Sequence, residues 1–328
     1  MRIVMMGTGG FAVPTFRWLI ASAHDVPLLV TRPARPAAGR RAPPPPNPMR
    51  QTAAAHQIPC AEPESINGPE SLDLLRQVAA DLFIVCDYGQ ILSRDVLSLA
   101  SRGSINLHAS LLPKYRGAAP INWAIYDGQA ETGVTVIHMT AGLDAGPCLT
   151  FRKVAIDQQV DACQLEAELA EVGVDAVREA VELLGAWDGV SALGTVQDKS
   201  LVTRAPRLKK ADARIDWQRS ARQIANQVRA FKPWPGSYTD WPREPHEPLR
   251  LIIESARAVD DDELSVATRA AARLASAGQV LPGQENRLLV QTGQGVLEIV
   301  TLKPAGKREL AAAEFLRGYP LAEAASFL

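Results

Sequence analysis

A chain of 328 residues, 47% hydrophobic and 22% charged, has the composition of an ordinary globular protein and the length for one large domain plus a smaller one. No window approaches the roughly eighteen uninterrupted apolar residues of a membrane helix, and the first apolar run, Arg2 to Met6, is too short for a signal-peptide core; the chain is expected in the cytosol, off the membrane, as a monomer. A net charge of −1 excludes a uniformly basic nucleic-acid binder.

Arg2 to Met6 reads as a buried strand running into the turn Gly7-Thr8-Gly9-Gly10, and Val13 to Ile20 follows as a helix that tolerates Pro14 in its first turn. Strands at Val26 to Val30, Asp81 to Cys86, Ser104 to Leu107 and Val134 to His138 alternate with helices at Pro69 to Ala79 and Ala118 to Tyr126. That alternation predicts an α/β domain, a mostly parallel sheet with helices on both faces. Leu165, Leu169, Val172, Ala176, Val177, Ala180 and Leu184 recur at helical spacing and predict a long amphipathic helix from Ala162 to Leu184. The stretch from Val190 to Arg214 is irregular and basic, as a linker would be. Beyond it, Ile215 to Phe231 reads as helix, stopped by Lys232-Pro233-Trp234-Pro235-Gly236. Short strand-like runs at Leu249 to Ile253, Gln279 to Leu281, Arg287 to Gln291 and Val296 to Leu302, separated by glycines, point to a small β-barrel. The expected division is therefore a first domain over 1–190, a linker over 191–214 and a second domain over 215–328.

The charges are sorted along the chain. Arg32 to Arg50 holds five arginines and no acid, in a segment whose first part, to Pro48, contains seven prolines; Lys199 to Lys232 holds ten basic residues against Asp212 and Asp216. Blocks of this kind are either solvated faces or contacts for a polyanion. The cysteines, Cys60, Cys86, Cys148 and Cys163, form no CxxC pair and show no zinc-type spacing with histidine, so reduced, mostly buried thiols and no metal are expected.

Gly7-x-Gly9-x-x-Ala12 satisfies a dinucleotide fingerprint, yet Thr31-Arg32 stands where an acid would hold the ribose, and Asp25 lies at the wrong end of the strand. A plain strand-to-helix turn is the better reading, with Arg32 leaving a 2′-phosphate ligand open. The run Asn106-Leu107-His108-Ala109-Ser110-Leu111-Leu112-Pro113 is more specific. At the end of a strand Asn106 and His108 project to the same side, at the carboxyl edge where open α/β folds place their sites. Asp144, between Gly142 and Gly146, follows the strand ending at His138 and is placed to approach His108, orient its ring and favour its protonated form. An amide, an imidazole and a carboxylate suit acyl transfer to an amine, which creates an oxyanion and must remove a proton from nitrogen.

These residues, with Tyr115-Arg116-Gly117 and Leu143-Asp144-Ala145-Gly146, resemble the signature of the 10-formyltetrahydrofolate-dependent formyltransferases. Arg214-Ile215-Asp216-Trp217, Ala230-Phe231-Lys232-Pro233-Trp234-Pro235 and Leu302-Lys303-Pro304-Ala305-Gly306-Lys307 extend the resemblance over nearly the whole chain, toward members that act on initiator methionyl-tRNA. The resemblance implies a Rossmann-like catalytic domain followed by a barrel of the OB type. It implies transfer of the formyl group of 10-formyltetrahydrofolate to the α-amine of methionine on initiator tRNA, with Asn106, His108 and Asp144 catalytic and no metal required. Folate contacts fall on Ser110, Leu111, Leu112 and Pro113, with the backbone around Tyr88, Gly89, Gln90, Ile91 and Leu92 holding the pterin. For tRNA the candidates are Arg35, Arg40 and Arg41 in the basic loop, Arg207, Lys209 and Lys210 in the linker, and Lys303, Lys307 and Arg308 in the second domain. An amino sugar nucleotide formyltransferase, or a hydrolase of the formyl folate, shares the catalytic signature; the arginine-rich loop argues for the larger substrate. Where relatives carry Gly-Thr-Pro and an acid, this chain has Gly7-Thr8-Gly9-Gly10, which predicts a looser first turn.

Overall fold

The computed structural model of the chain describes residues 1–34, 47–243, 245–282, 286–322 and 325–328. It forms two compact units: residues 1–120, 131–155 and 164–206 make the first, and 121–130, 156–163 and 207–328 the second.

In the first unit the strands β1 (Arg2–Gly7), β2 (Asp25–Val30), β3 (Cys60–Ala61), β4 (Leu82–Cys86), β5 (Ser104–His108), β7 (Glu131–His138) and β8 (Cys148–Ala155) form one sheet in the order β3-β2-β1-β4-β5-β7-β8. A two-residue strand β6 (Arg116–Gly117) lies apart and pairs in parallel with β9 (Arg204–Ala205). β3, β2, β1, β4 and β5 run parallel, and β7 and β8 close the sheet as antiparallel additions. The strand order reverses between β1 and β4, the switch point at whose carboxyl edge doubly wound sheets carry their sites. Helices α1 (Val13–Ala21), α2 (Pro48–Ala55), α3 (Pro69–Val78) and α4 (Arg94–Leu97) serve this sheet, while α5 (Pro120–Tyr126) lies almost wholly in the second unit.

Burial explains the choice of strands. All five residues of β4 and the last five of β1 are buried, as parallel strands covered on both faces require, whereas the edge strand β8 alternates buried and exposed residues. The helix α6 (Ala162–Ala186) lays Leu165, Leu169, Ala176, Val177, Ala180 and Leu184 into the core, on the spacing predicted. Its end is capped by the Arg102 guanidinium, which donates to the Leu184 and Trp187 carbonyls, satisfying groups the helix itself leaves open. β8 is not among the strands expected from sequence, because its charged outer face hides the apolar alternation.

The second unit carries an antiparallel sheet in the order β10-β11-β13-β12, formed by β10 (Tyr238–Arg243), β11 (His246–Val259), β12 (Leu288–Gln291) and β13 (Val296–Pro304), with β14 (Leu310–Ala311) paired to β13. Helix α7 (Ala221–Ala230) packs Ile224 and Val228 against Leu251, Ile253, Leu297 and Ile299, and Trp217 and Phe315 join the same core; α8 (Val266–Ala272) and α9 (Ala312–Gly318) complete the unit. Two expectations are corrected here. The helix expected over Ile215 to Phe231 begins only at Ala221, since Ser220 caps it through the Gln223 N–H and the Gln223 side chain returns to the Ser220 N–H, while Ile215 bonds instead to the Tyr238 carbonyl. Gln279 and Val280 make isolated bridges to Ser326 and Val290 and are not part of a continuous strand. The thiols depart from expectation too: Cys86 is buried and Cys148 half-buried, but Cys60 and Cys163 are exposed, on an edge strand and on the first turn of α6.

Candidate active site

β5 delivers two polar side chains to the carboxyl edge of the first sheet. His108 is 6% exposed, and Asn106, two residues earlier on the same face, is half-buried. The His108 ring is held by a hydrogen bond at one nitrogen and faces a carboxylate with the other. Its Nε2 lies 2.9 Å from the Tyr115 carbonyl oxygen. A carbonyl can only accept, so Nε2 is the donor in this bond. Nδ1 faces the Asp144 carboxylate, with Oδ2 at 3.8 Å, close enough for charge to act and too far for a direct hydrogen bond.

Asp144 and Tyr115 both adopt left-handed backbone, with φ of 48° and 60°. Such residues persist where surrounding bonds over-determine them, and here the bonds are visible. The Gly117 N–H donates to Asp144 Oδ2 at 2.9 Å, and Gly117 itself, at φ 131°, sits so near the Ala205 carbonyl that a Cβ would stand 2.4 Å from its oxygen. The Tyr115 N–H donates to the Thr203 hydroxyl at 2.8 Å and the Arg116 N–H to the Thr203 carbonyl at 3.0 Å. Gln197 donates to the carbonyls of Asp144 and Gly146.

The loop after His108 is pinned from β7. Thr135 donates from its hydroxyl to the Ser110 carbonyl at 2.7 Å and accepts from the Leu112 N–H at 3.1 Å. The Ser110 hydroxyl is buried and donates to the Lys114 carbonyl, while Leu111, Leu112 and Pro113 are half-buried. Across the switch point, Tyr88 and Leu92 are buried, the Gln90 carboxamide is tied to Ile66 and Pro63, and Ile91 stands 75% exposed. Following this segment, Arg94, Leu97 and Ser98 on and beside α4 face Met139, Thr140, Ala141 and Gly142 across a cavity of about 570 Å³. The cavity thus opens beside the loop that carries Asp144, and Ser110 to Pro113 do not line it.

The glycine turn is not loose, contrary to expectation. Asp87 fills it: the Gly9 N–H donates to the Asp87 carboxylate, the Thr8 N–H donates to the Asp87 carbonyl at 3.1 Å, and a Cβ on Gly9 would stand 1.7 Å from Asp87 Oδ2. The turn that would cradle a pyrophosphate already holds an anion of the chain itself. Asp87 is exposed as a residue, yet the protein packed around its carboxyl raises it to about 6, with the Glu166 charge adding to the effect and the Gly9 N–H opposing it. Burial raises Glu166 as well, and pushes the Tyr88 phenol up to about 12.

The basic candidates are distributed unevenly. Arg207, Lys209 and Lys210 are exposed, as are Lys307 and Arg308, Lys303 is half-buried on β13, and all six belong to the second unit. Arg308 pairs with Glu314 at 3.1 Å. Arg35, Arg40 and Arg41 lie outside the described residues. Among the described residues no group of three or more His, Cys, Asp or Glu side chains is placed to hold a metal ion, and no helix is long and apolar enough to cross a membrane.

Residues 1–181 match the family model described as formyl transferase, and residues 207–320 match that of the formyl transferase C-terminal domain. Over 98% of its length the chain is 41% identical to the methionyl-tRNA formyltransferase of Rhodopirellula baltica, covering 95% of that protein, and 39% identical to that of Geobacter sulfurreducens, also covering 95%. The chain belongs to the methionyl-tRNA formyltransferase family. Solved structures share its fold at lower identity. An N-formyltransferase from Helicobacter canadensis, in complex with folinic acid and dTDP-3-aminofucose, superposes with a TM-score of 0.62 at 15% identity, covering 90% of this chain and 98% of that one. HypX from Aquifex aeolicus, in complex with tetrahydrofolic acid, gives a TM-score of 0.61 at 17% identity over all of this chain, which spans about half the length of HypX.

For a methionyl-tRNA formyltransferase, reading the sequence alone leaves out the residues that hold the cluster in place. Arg116 and Gly117 stand inside the Tyr115-Arg116-Gly117 motif without a role of their own, and Thr135 carries no signal beyond its strand. Gln197 and Thr203 lie in the stretch expected to be a linker, although its first part, 191–206, packs within the first unit.

Proposed function

We propose that the chain transfers the formyl group of 10-formyltetrahydrofolate, a substrate here and not a resident cofactor, to the α-amino group of methionine on initiator tRNA. The observation that carries this reading is end-to-end likeness at 41% identity to a methionyl-tRNA formyltransferase, joined to an Asn106, His108 and Asp144 cluster at the carboxyl edge of the sheet. The exposed Ile91 with the backbone from Tyr88 to Leu92, and Ser110 to Pro113 through backbone and apolar side chains, are the folate contacts of this reading.

In this reading the neutral amine attacks the formyl carbon, the carbonyl oxygen takes negative charge, and the bond to N10 breaks as a proton moves from the amine to N10. The Asn106 carboxamide and the protonated Nδ1 of His108 donate to the oxyanion, each worth on the order of 3 kcal/mol. Because Nε2 is committed to the Tyr115 carbonyl, the ring cannot turn its other nitrogen to this task. Asp144 balances the imidazolium charge from 3.8 Å and, with a water between, provides a path for the amine proton. Residues 1–190 carry the chemistry, and the linker 191–214 together with 215–328 supplies the sequence-independent grip on tRNA; we take the antiparallel sheet of the second unit to be an OB-type barrel, in keeping with its five strands and its match to the C-terminal domain model. Arg207, Lys209, Lys210, Lys303, Lys307 and Arg308 contribute phosphate contacts in that grip, and Arg35, Arg40 and Arg41 read the acceptor end. The test is an acceptor competition with labelled formyl donor. Label should pass to methionyl initiator tRNA; passage instead to an amino sugar nucleotide or to water would replace the acceptor assignment.

A further inference from the structure

The segment 195–198 inverts the usual sorting of side chains. Val196 is 83% exposed, whereas the polar Gln197 beside it is 7% exposed. A buried carboxamide is tolerated when all its hydrogen-bonding capacity is used, and Gln197 uses all of it. Nε2 donates to the Asp144 carbonyl at 2.8 Å and to the Gly146 carbonyl at 2.7 Å, while Oε1 accepts from Arg116 Nε at 3.1 Å and Nη2 at 2.6 Å. Only one orientation of the amide satisfies two acceptors on one side and a guanidinium on the other. The segment is itself fastened to the start of β8 by paired bonds between Thr195 and Cys148.

From this geometry we infer that Gln197 is a positioning residue for Asp144, holding the 144–146 loop in its left-handed turn so that the carboxylate meets His108. Gln197 touches no reacting atom. It clamps the carbonyls of the two residues that flank Ala145, and through Arg116 it couples that clamp to the 115–117 turn, whose Tyr115 carbonyl holds the other side of the imidazole. Both walls of the His108 site are thereby set by one side chain from a segment outside every family motif quoted above. The inference rests on the reading of Asp144 given under the proposed function.

Two variants test it. Gln197→Met keeps the volume and removes all four bonds; Gln197→Glu keeps the partner for Arg116 and removes only the two donors. In each, kcat for formyl transfer should fall about tenfold to a hundredfold while KM for both substrates stays within about twofold, because a displaced loop misaligns the catalytic group without removing a substrate contact. In an Asp144→Asn background the same changes should cost little more, since a residue acting only through Asp144 has nothing left to position. Amide exchange of residues 142–148 should quicken in both variants, a readout independent of which acceptor the enzyme takes. Folded variants with wild-type kcat, or losses that add fully to that of Asp144→Asn, overturn the inference. Quickened exchange with no transfer to methionyl-tRNA even by the unmodified chain would uphold the clamp and overturn the acceptor.

Discussion

Thr135→Val is a nearly isosteric change whose cost can be worked from two bonds. Thr135 is 2% exposed, and its hydroxyl donates to the buried Ser110 carbonyl at 2.7 Å and accepts from the half-buried Leu112 N–H at 3.1 Å. Leaving the carbonyl unpaired costs about 1–3 kcal/mol, while the Leu112 N–H, nearer solvent, loses about 1 kcal/mol or less. The additional methyl returns under about 1 kcal/mol. The net loss should be about 2–3 kcal/mol, seen in urea as a lower midpoint at unchanged slope and on heating as a fall of about 4–10 °C. Thr135→Ser retains both bonds and should lose only the methyl's share, about 1 kcal/mol. A valine variant within about 0.5 kcal/mol of the unmodified chain would refute the claim that this hydroxyl fastens the 110–112 loop.

Asp87→Asn tests the filled glycine turn through pH. The folded state raises Asp87 to about 6, above the value near 4 of an unfolded carboxylate, so between those limits the folded chain binds more protons and stability falls as pH rises. Asparagine tolerates the left-handed backbone of position 87, where φ is 46°, and can still accept from Gly9. The variant should melt higher at pH 7.5 and show a flatter melting profile between pH 4 and 6; superimposable profiles would remove Asp87 from the account. Replacing Arg207, Lys209 and Lys210 together by alanine should weaken binding to initiator and elongator tRNA alike and reduce the slope of log affinity against log salt by about 0.9 for each phosphate left without its cation. Weakened binding confined to initiator tRNA would assign these residues to recognition instead.

The first unit is legible in the sequence because its signals are periodic. The buried runs of β1 and β4, the strand ending at His108 and the apolar stripe of α6 all follow from spacing alone, and the pairing of Asn106 with His108 follows from strand alternation. What escapes is long-range or locally disguised. Ser220 delays the start of α7 by a capping box that a helical reading of Ile215 onward passes over. Asp87 reaches Gly9 across more than seventy residues, and Gln197 reaches Asp144 across more than fifty, so no window of sequence contains either bond. A polar side chain gives no sign in sequence of whether it faces water or two carbonyls; only the fold decides that.

The central claim concerns Asn106 and His108, and single-turnover transfer of a labelled formyl group to methionyl-tRNA tests it most directly. With saturating donor, Asn106→Ala and His108→Ala should each slow transfer by about a hundredfold or more, as loss of one oxyanion donor requires. Equilibrium affinity for the formyl donor should stay within about threefold of the unmodified chain, because the folate contacts proposed for Tyr88 to Leu92 and Ser110 to Pro113 lie elsewhere. Transfer at the unmodified rate in either variant, or a loss of donor affinity that matches the loss of rate, would contradict the account.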